Sequence, residues 1–417
     1  MRVPKLPLIP RVINRAGSAL ATIGLGSAPL HARTLEEEAR QSTKLDKHLS
    51  PSAREGLVRL TDALEDEAAL STLGRTIARA GLQTSIAHRL RLEAWMAEHA
   101  EATTEPIQKP IVIVGQGRTG TTILHELLQL DPRNRLPLTW ECEAPFPPPE
   151  AASHATDARI AACQKQLDRS ESLIPDFKRI HRMGAQLPQE CISLTSNDFH
   201  SLLFPAQWRV GGYTRWLLDE ADMAPAYRTH RQFLQLLGWR CPGDRWVLKS
   251  PGHLWCLDAL IDEYPDACLV QTHRDPVAII SSLTSLEVVL RSMCSDDILP
   301  FEIAREWSDW LQRAYDRSVT FRQSGRLSDT QIIDLHFDRF VKEPLASVRR
   351  IYEHFEIELR PEVEAAMQNY VGQNPSDRDG RHRHRFEDTG LDLEEQRERA
   401  RRYVEYFDVT LENRGDR

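Results

Sequence analysis

Three cations each stand just past an apolar run of the chain. Arg118 follows PIVIV within GQGRTGTT (115–122), Lys249 follows RWVL, and Arg274 follows CLVQTH. Each run reads as a buried strand and is followed by the start of a helix, a pattern that delivers all three side chains to the carboxyl edge of one parallel sheet. That edge is where open α/β sheets hold their ligands. The chemistry on offer is the capture of a phosphorylated anion. A helix N-terminus with free N–H groups attracts phosphate, and the small residues Gly117, Gly120, Thr121 and Thr122 let the backbone wrap it closely. The loop fits G-x-x-x-x-G followed by Thr-Thr, whereas an ATP or GTP loop needs lysine at position 121 to reach the β and γ phosphates. Thr121 stands there instead, which disfavours a nucleotide kinase or NTPase.

The stretch IVGQGRTGTTILHELLQLDP resembles the 5′-phosphosulfate loop of the sulfotransferases that use 3′-phosphoadenosine 5′-phosphosulfate (PAPS). THRDPVAIISS resembles their 3′-phosphate motif, an arginine followed by a serine, here Arg274 and Ser282. RWVLKSPGHL and GRHRHRFEDTGLD are similar to the bacterial-type subgroup, whose members also carry helical N-terminal regions, so the likeness runs from about residue 35 to 410. The resemblance implies PAPS as sulfuryl donor and no metal. It assigns Arg118, Thr119, Gly120, Thr121 and Thr122 to the 5′ end of the donor, and Arg274 and Ser282 to its 3′-phosphate. Arg381 and Arg383 would reach the same phosphate from a closing loop, although so short a basic run also reads as a solvated surface segment. Departures from the family pattern are Gln116 and Gly117, where proline is usual at the second position, and His384 and Thr389, where tyrosine and phenylalanine are usual.

Sulfuryl transfer to a hydroxyl or amine resembles phosphoryl transfer, with charge building on the leaving 5′-phosphate oxygen in a loose, in-line transition state. Arg118 and Lys249 are the natural pair to meet that charge, and the threonine hydroxyls and backbone N–H groups complete the cradle. Three residues could take the acceptor's proton. Glu141, in LPLTWECEAP, stands where glutamate-using members of the family place their base, and burial near Trp140 would move its pKa toward neutrality. His253, in KSPGH, could act as a base or cap the helix that begins there. His181, in HRMGAQLPQE with Glu190 nearby, is the third. The reading favours Glu141. If the altered loop and C-terminal motif have lost turnover, the same grips would leave a nucleotide-binding protein without catalysis.

The elements that position these residues read as an α/β fold, a P-loop-like parallel sheet flanked by helices. Strands are expected at Ile111 to Val114, Trp246 to Leu248 and Cys268 to Thr272, with a further one in TQIIDLHFDRFVKEP. Helices are expected from Thr122 to Leu130, from about Leu254 to Glu263, and from about Val277 onward. Residues 35–105 read as a helical N-terminal region with Thr34 as an N-cap, residues 106–417 as the catalytic domain, and residues 1–34 as an arm. FHSLLFPAQWRVGGYTRWLL (199–218) is either core or the wall of an apolar acceptor pocket for a lipid, sterol-like or phenolic alcohol.

Composition bounds the rest. The 417 residues carry 53 Lys and Arg against 61 Asp and Glu, a net charge of −8, which argues against nucleic acid as a general partner. Seven scattered cysteines without a CxxC pair indicate neither a zinc knuckle nor a disulfide framework and suit a reducing, cytoplasmic setting. No apolar run is long enough to span a bilayer. SALATIGLGSAPLHA could imitate a signal-peptide core, but the prolines and glycines of the arm favour a loosely amphipathic segment that packs on the protein or makes peripheral contact with a membrane surface.

Overall fold

The computed structural model describes residues 1, 3–23, 28–173, 182–374 and 385–412. Five parallel strands form one sheet in the order β2-β3-β1-β4-β5. They are β1 (Ile111–Val114), β2 (Asn134–Arg135), β3 (Arg245–Ser250), β4 (Cys268–His273) and β5 (Ile332–His336). The first strand, IVIV, is buried along its whole length, as a strand covered on both faces must be. Its side chains alternate between two cores. Val112 and Val114 join Leu248 and Leu269 on one face, while Ile111 and Ile113 join Val247, Val270 and Leu335 on the other.

The first face is covered by the helices Ala224–Gly238, Pro276–Ser292, Pro300–Gln323 and Leu393–Tyr406, through Phe233, Leu283, Leu311 and Tyr403. The second is covered by α5 (Thr121–Gln129) and the helices Pro344–His354 and Pro361–Gln373, through Leu124, Leu128, Ile351 and Met367. The helix expected from Leu254 starts later, at Leu257, because a 3₁₀ turn, Pro251–Trp255, intervenes. Ser250 Oγ accepts from Gly252 N–H at 3.1 Å and Trp255 Nε1 donates to the Trp310 carbonyl at 3.1 Å, bonds that hold the tighter turn. The two-residue β2 gives no apolar signal of its own; it is placed by pairing with β3 and by the side-chain bonds of Asn134 to the Leu128 carbonyl and Arg135 to the Cys241 carbonyl.

Among the described residues four α-helices precede the sheet: α1 (Leu8–Thr22), α2 (Ala32–Thr43), α3 (Pro51–Asp66) and α4 (Thr72–Glu98). The arm is therefore helical, and α2 starts ahead of Thr34, because Leu35 N–H already bonds the His31 carbonyl at 3.0 Å. Leu57, Leu60, Leu82 and Ile86 share one core with Phe199, Phe204, Trp208 and Trp216, so most of the aromatic 199–218 stretch packs against the N-terminal helices. Gly74 closes this junction: a Cβ there would lie 1.9 Å from the Cys294 carbonyl oxygen. Among the described residues no helix is long and apolar enough to cross a membrane, and all seven cysteines are unpaired.

Candidate active site

β1 lies between β3 and β4; the chain runs from β1 to β2 and β3 on one side of it and then crosses to β4 and β5 on the other, a reversal that opens a crevice at the carboxyl ends of these strands. Ile113 is level with Lys249, and Val114 with both Ser250 and Gln271. Arg274 is the first residue past β4.

The loop between β1 and α5 is held in an unusual backbone form. Gly115 takes a φ of 146°, and a Cβ there would meet Thr272 Oγ1 at 2.1 Å. Arg118 and Gly120 take positive φ of 72° and 85°, the left-handed backbone from which anion-binding nests are made. Thr119, between them, is buried; its hydroxyl donates to the Gln116 carbonyl and meets Thr272 Oγ1, both at 2.6 Å. That leaves Thr119 only its backbone N–H to offer a ligand. Gly120 is the N-cap of α5 and makes no side-chain cap bond, so the first-turn N–H groups of Thr121 and Thr122 have no partner from the cap. Thr121 is buried and Thr122 half-buried.

Two arginines and a serine close on this loop from distant sequence. Arg118 Nε donates to Ser282 Oγ at 2.9 Å, and Arg274 Nη1 donates to the Arg118 carbonyl at 2.6 Å. Burial, followed by the neighbouring Arg274 charge, lowers the pKa of Arg118. Both causes make an anion welcome. The remaining edge of Arg274 grips a carboxylate: Nε and Nη2 donate to the two oxygens of Glu412 at 2.6 and 3.3 Å, and the guanidinium lies 4.0 Å over the Phe337 ring. Glu412 is itself anchored, its N–H donating to Asp275 Oδ2 at 2.8 Å, while Asp275 Oδ1 caps the helix Pro276–Ser292 through Val277 N–H at 2.9 Å. A forked guanidinium that holds a carboxylate this way has the geometry to hold a phosphate.

Lys249 is only 3% exposed, and its ammonium meets Glu190 Oε1 at 2.5 Å. Glu190 is delivered by a loop pinned to both sides. Gln189 N–H donates to the Pro137 carbonyl and Cys191 N–H to the Lys249 carbonyl, each at 2.8 Å.

Glu141, the base favoured from the sequence, is bound by partners of its own. It sits at the third position of a short helix, α6 (Thr139–Glu143), fully buried. Its oxygens accept from Leu138 N–H at 2.9 Å and from both terminal nitrogens of Arg135, and His154 Nε2 lies at 3.0 Å. Burial alone would raise its pKa, but Arg135 and the other donors outweigh it and hold the carboxyl below its usual range. Arg135 belongs to β2, paired with the amino-terminal part of β3, so Glu141 is a structural partner of that end of the sheet.

His253 follows Lys249 closely, on the Pro251–Trp255 turn, but one ring nitrogen is bonded and the other enclosed. Nδ1 lies 2.7 Å from the Tyr227 phenol oxygen, and Nε2 is enclosed without a hydrogen-bond partner among the described residues. Burial and the adjacent His230 push its pKa well down, so the ring is neutral. His181, Arg381, Arg383 and His384 lie outside the described residues. Thr389 is buried in a 3₁₀ turn, its hydroxyl donating to the Phe386 carbonyl at 2.6 Å.

Beside Ser250 and His253 opens a cavity of about 210 Å³ lined by Ile192, Leu202, Leu217, Leu218, Met223 and Trp255, among others. Three of these come from the 199–218 stretch, which thus supplies both core and cavity wall. Sequence reasoning placed Glu190 only beside His181 and did not single out Glu412. Neither carries a local signal, since they lie 59 and 138 residues from the cations they meet.

A sequence profile of the sulfotransferase family matches residues 110–361. The chain is 26% identical over 270 residues to proteins of Mycobacterium bovis and Mycobacterium tuberculosis named omega-hydroxy-beta-dihydromenaquinone-9 sulfotransferase Stf3, covering 61% of this chain and 64% of theirs. It thus spans less than two thirds of the length of these curated relatives. Two crystal structures are also similar. Sulfotransferase STF9 from Mycobacterium avium superposes with a TM-score of 0.83 at 30% identity, over 92% of this chain and 98% of that one. STF1 from Mycobacterium tuberculosis does so with a TM-score of 0.78 at 31% identity, over 88% and 97%. With a profile match across the sheet and both strand-end motifs, and relatives alike over nearly the whole fold, the chain belongs to the sulfotransferase family.

Proposed function

We propose that this protein transfers a sulfuryl group from PAPS to the hydroxyl of an alcohol with an apolar body. The observation that carries the reading is the convergence of Arg118, Arg274 and Ser282 on one left-handed, glycine-containing loop at the switch point of the sheet. The loop and the first turn of α5 suit the 5′-phosphosulfate, and Arg274 with Ser282 suits the 3′-phosphate, Glu412 standing in for that anion. Arg381 and Arg383 are proposed as further 3′-phosphate ligands.

The acceptor oxygen attacks sulfur as the bond from sulfur to the 5′-phosphate oxygen breaks, and the electron pair departs on that oxygen. Arg118 and Lys249 meet the charge that develops there. The acceptor's proton goes to a base, and Glu190 is the best-placed group: it is on Lys249, 19% exposed at its side chain, and able to accept once Lys249 turns to the donor. The products are a sulfate ester and adenosine 3′,5′-bisphosphate. The cavity, walled by Ile192, Leu202, Leu217, Leu218 and Met223 with Asp222, Asp258 and Arg317 also on its lining, supports an acceptor with an apolar body, and an omega-hydroxy-beta-dihydromenaquinone is the substrate type in the name of the Stf3 relatives.

The test pairs binding with transfer. Adenosine 3′,5′-bisphosphate at 100 times its Kd should stabilise the protein by about 2.7 kcal/mol, and ATP with magnesium should not. Sulfur-labelled PAPS should then label long-chain alcohols in preference to sugars. Stabilisation by ATP-magnesium alone would sink the reading. Tight bisphosphate binding with no transfer to any acceptor would leave a nucleotide-binding protein without turnover.

A further inference from the structure

The first helix of the chain packs with the wrong side inward for a core helix. Its contacts to α4 use polar and small residues. Asn14, buried, accepts from Leu73 N–H at 3.0 Å and so satisfies a first-turn donor of α4. Gly17 approaches so closely that a Cβ would lie 1.9 Å from Thr72 Oγ1. Ahead of the helix, Leu6 is buried against Val289 of the helix Pro276–Ser292, which fixes the approach of the chain. These contacts set the rotation of α1, and that rotation points its apolar side out.

Leu8, Ile9, Val12, Ile13, Leu20 and Ile23 are 67, 73, 55, 44, 46 and 68% exposed. At about 100° per residue, these positions fall within an arc of about 140°. Of the 13 large apolar side chains that stand exposed among the described residues, these six lie in one short segment. The concentration marks a docking face, since scattered exposure would need no explanation.

Charge decides what docks. No Asp or Glu precedes Glu36, in a chain whose net charge is −8, and Lys5, Arg11 and Arg15 are exposed. On the helical wheel the two arginines flank one edge of the apolar arc, the arrangement of a helix lying in a membrane interface with cations at headgroup level. A second copy packed face to face about a twofold axis would bring like charges toward each other, a repulsion a bilayer of anionic lipid does not present. We propose that α1 is a membrane-docking helix that seats the protein on an anionic lipid surface. The inference stands independently of the sulfuryl-transfer reading, because it concerns binding alone.

Co-sedimentation of the full chain with vesicles tests it. Wild type should bind phosphatidylcholine vesicles containing phosphatidylglycerol and bind pure phosphatidylcholine at least roughly tenfold more weakly, and salt should weaken the stronger binding. Ile9→Asp with Ile13→Asp, both exposed and outside the catalytic cluster, should abolish binding while leaving bisphosphate-induced stabilisation intact. Arg11→Gln with Arg15→Gln, which keeps the apolar face, should remove the preference for anionic vesicles. The proposal is overturned if wild type binds neither vesicle, or if either double variant binds like wild type. It is equally overturned if light scattering shows a dimer that the Ile9→Asp, Ile13→Asp variant dissociates, which would make the occupant a second copy.

Discussion

The ammonium of Lys249 reaches the carboxyl edge of the sheet already paired, held by the carboxylate of Glu190 at 2.5 Å. In the proposed reaction this pair would supply both charges, Lys249 to meet the leaving phosphate and Glu190 to take the acceptor's proton. In the proposed reaction the donor's anion competes with Glu190 for Lys249, so donor binding would itself free the base.

Removing either member should therefore cost turnover in different ways. Lys249→Ala should lower kcat by roughly 100-fold or more, the range for one preorganised charge stabiliser. Glu190→Gln should lower it by about 10²–10⁴-fold, the range for a general base, with bisphosphate affinity little changed. Single-turnover rates alongside calorimetric binding would separate chemistry from binding. If Glu190→Gln turned over normally while His253→Ala did not, the base would be His253.

At the other end of the site, Glu412 occupies the guanidinium edge that the 3′-phosphate would use. Glu412→Ala should tighten adenosine 3′,5′-bisphosphate binding, by roughly three- to tenfold, because a charge-assisted pair no longer has to be exchanged. Arg274→Ala should weaken binding with a smaller effect on the transfer step. Isothermal titration of both variants checks this, and a Glu412→Ala variant that bound more weakly would show that the carboxylate supports the site.

Acid should destabilise the fold through its buried histidines. Burial pushes His125 and His230 down to about 3, and His88 to about 4, from an ordinary value of 6.5; Lys249 adds to the effect at His125 and Arg91 at His88. The unfolded chain binds these protons first, so stability falls as pH drops below the ordinary histidine value and keeps falling toward the folded values. Glu287 works in the opposite sense: burial raises it from 4.5 to about 8, so between those values the folded state binds its proton more readily. Urea midpoints should fall on acidification from neutral pH. Glu287→Gln removes the opposing contribution and should steepen that fall; a shallower dependence would contradict the assignment.

What the sequence disclosed followed from locality. Strands β1, β3 and β4 showed as apolar runs, and Arg118, Lys249 and Arg274 showed because each stands just past one of them. The bond of Arg118 to Ser282 joins two local motifs, so each could be read before their contact was known. Glu190 and Glu412 could not be read this way, since only the folded sheet brings them to their cations. The surroundings of Glu141 were hidden for a related reason. Its neighbours in sequence suggested an apolar pocket, whereas Arg135 and His154 surround the carboxylate in space. The helical pattern of α1 was likewise blurred by Pro10 and Gly17 within it, and which face it shows outward is decided by Asn14 and Gly17 against α4.

Gln116 offers the sharpest test of the loop. It is 1% exposed, and among the described residues neither its side-chain oxygen nor its nitrogen has a hydrogen-bond partner. An unsatisfied buried amide costs about 1–3 kcal/mol, whereas an apolar residue of similar shape would avoid that cost. Gln116→Leu should therefore raise the stability of the free protein by about 1 kcal/mol or more. Its effect on the ligand then distinguishes two roles for the amide. If bound donor or acceptor satisfies it, Gln116→Leu should weaken bisphosphate binding or raise the acceptor KM while the free protein gains stability. If it only fills space behind the loop, both constants should stay put. Loss of stability in the free protein would show instead that the amide is satisfied by buried water, and that the cradle is built around it.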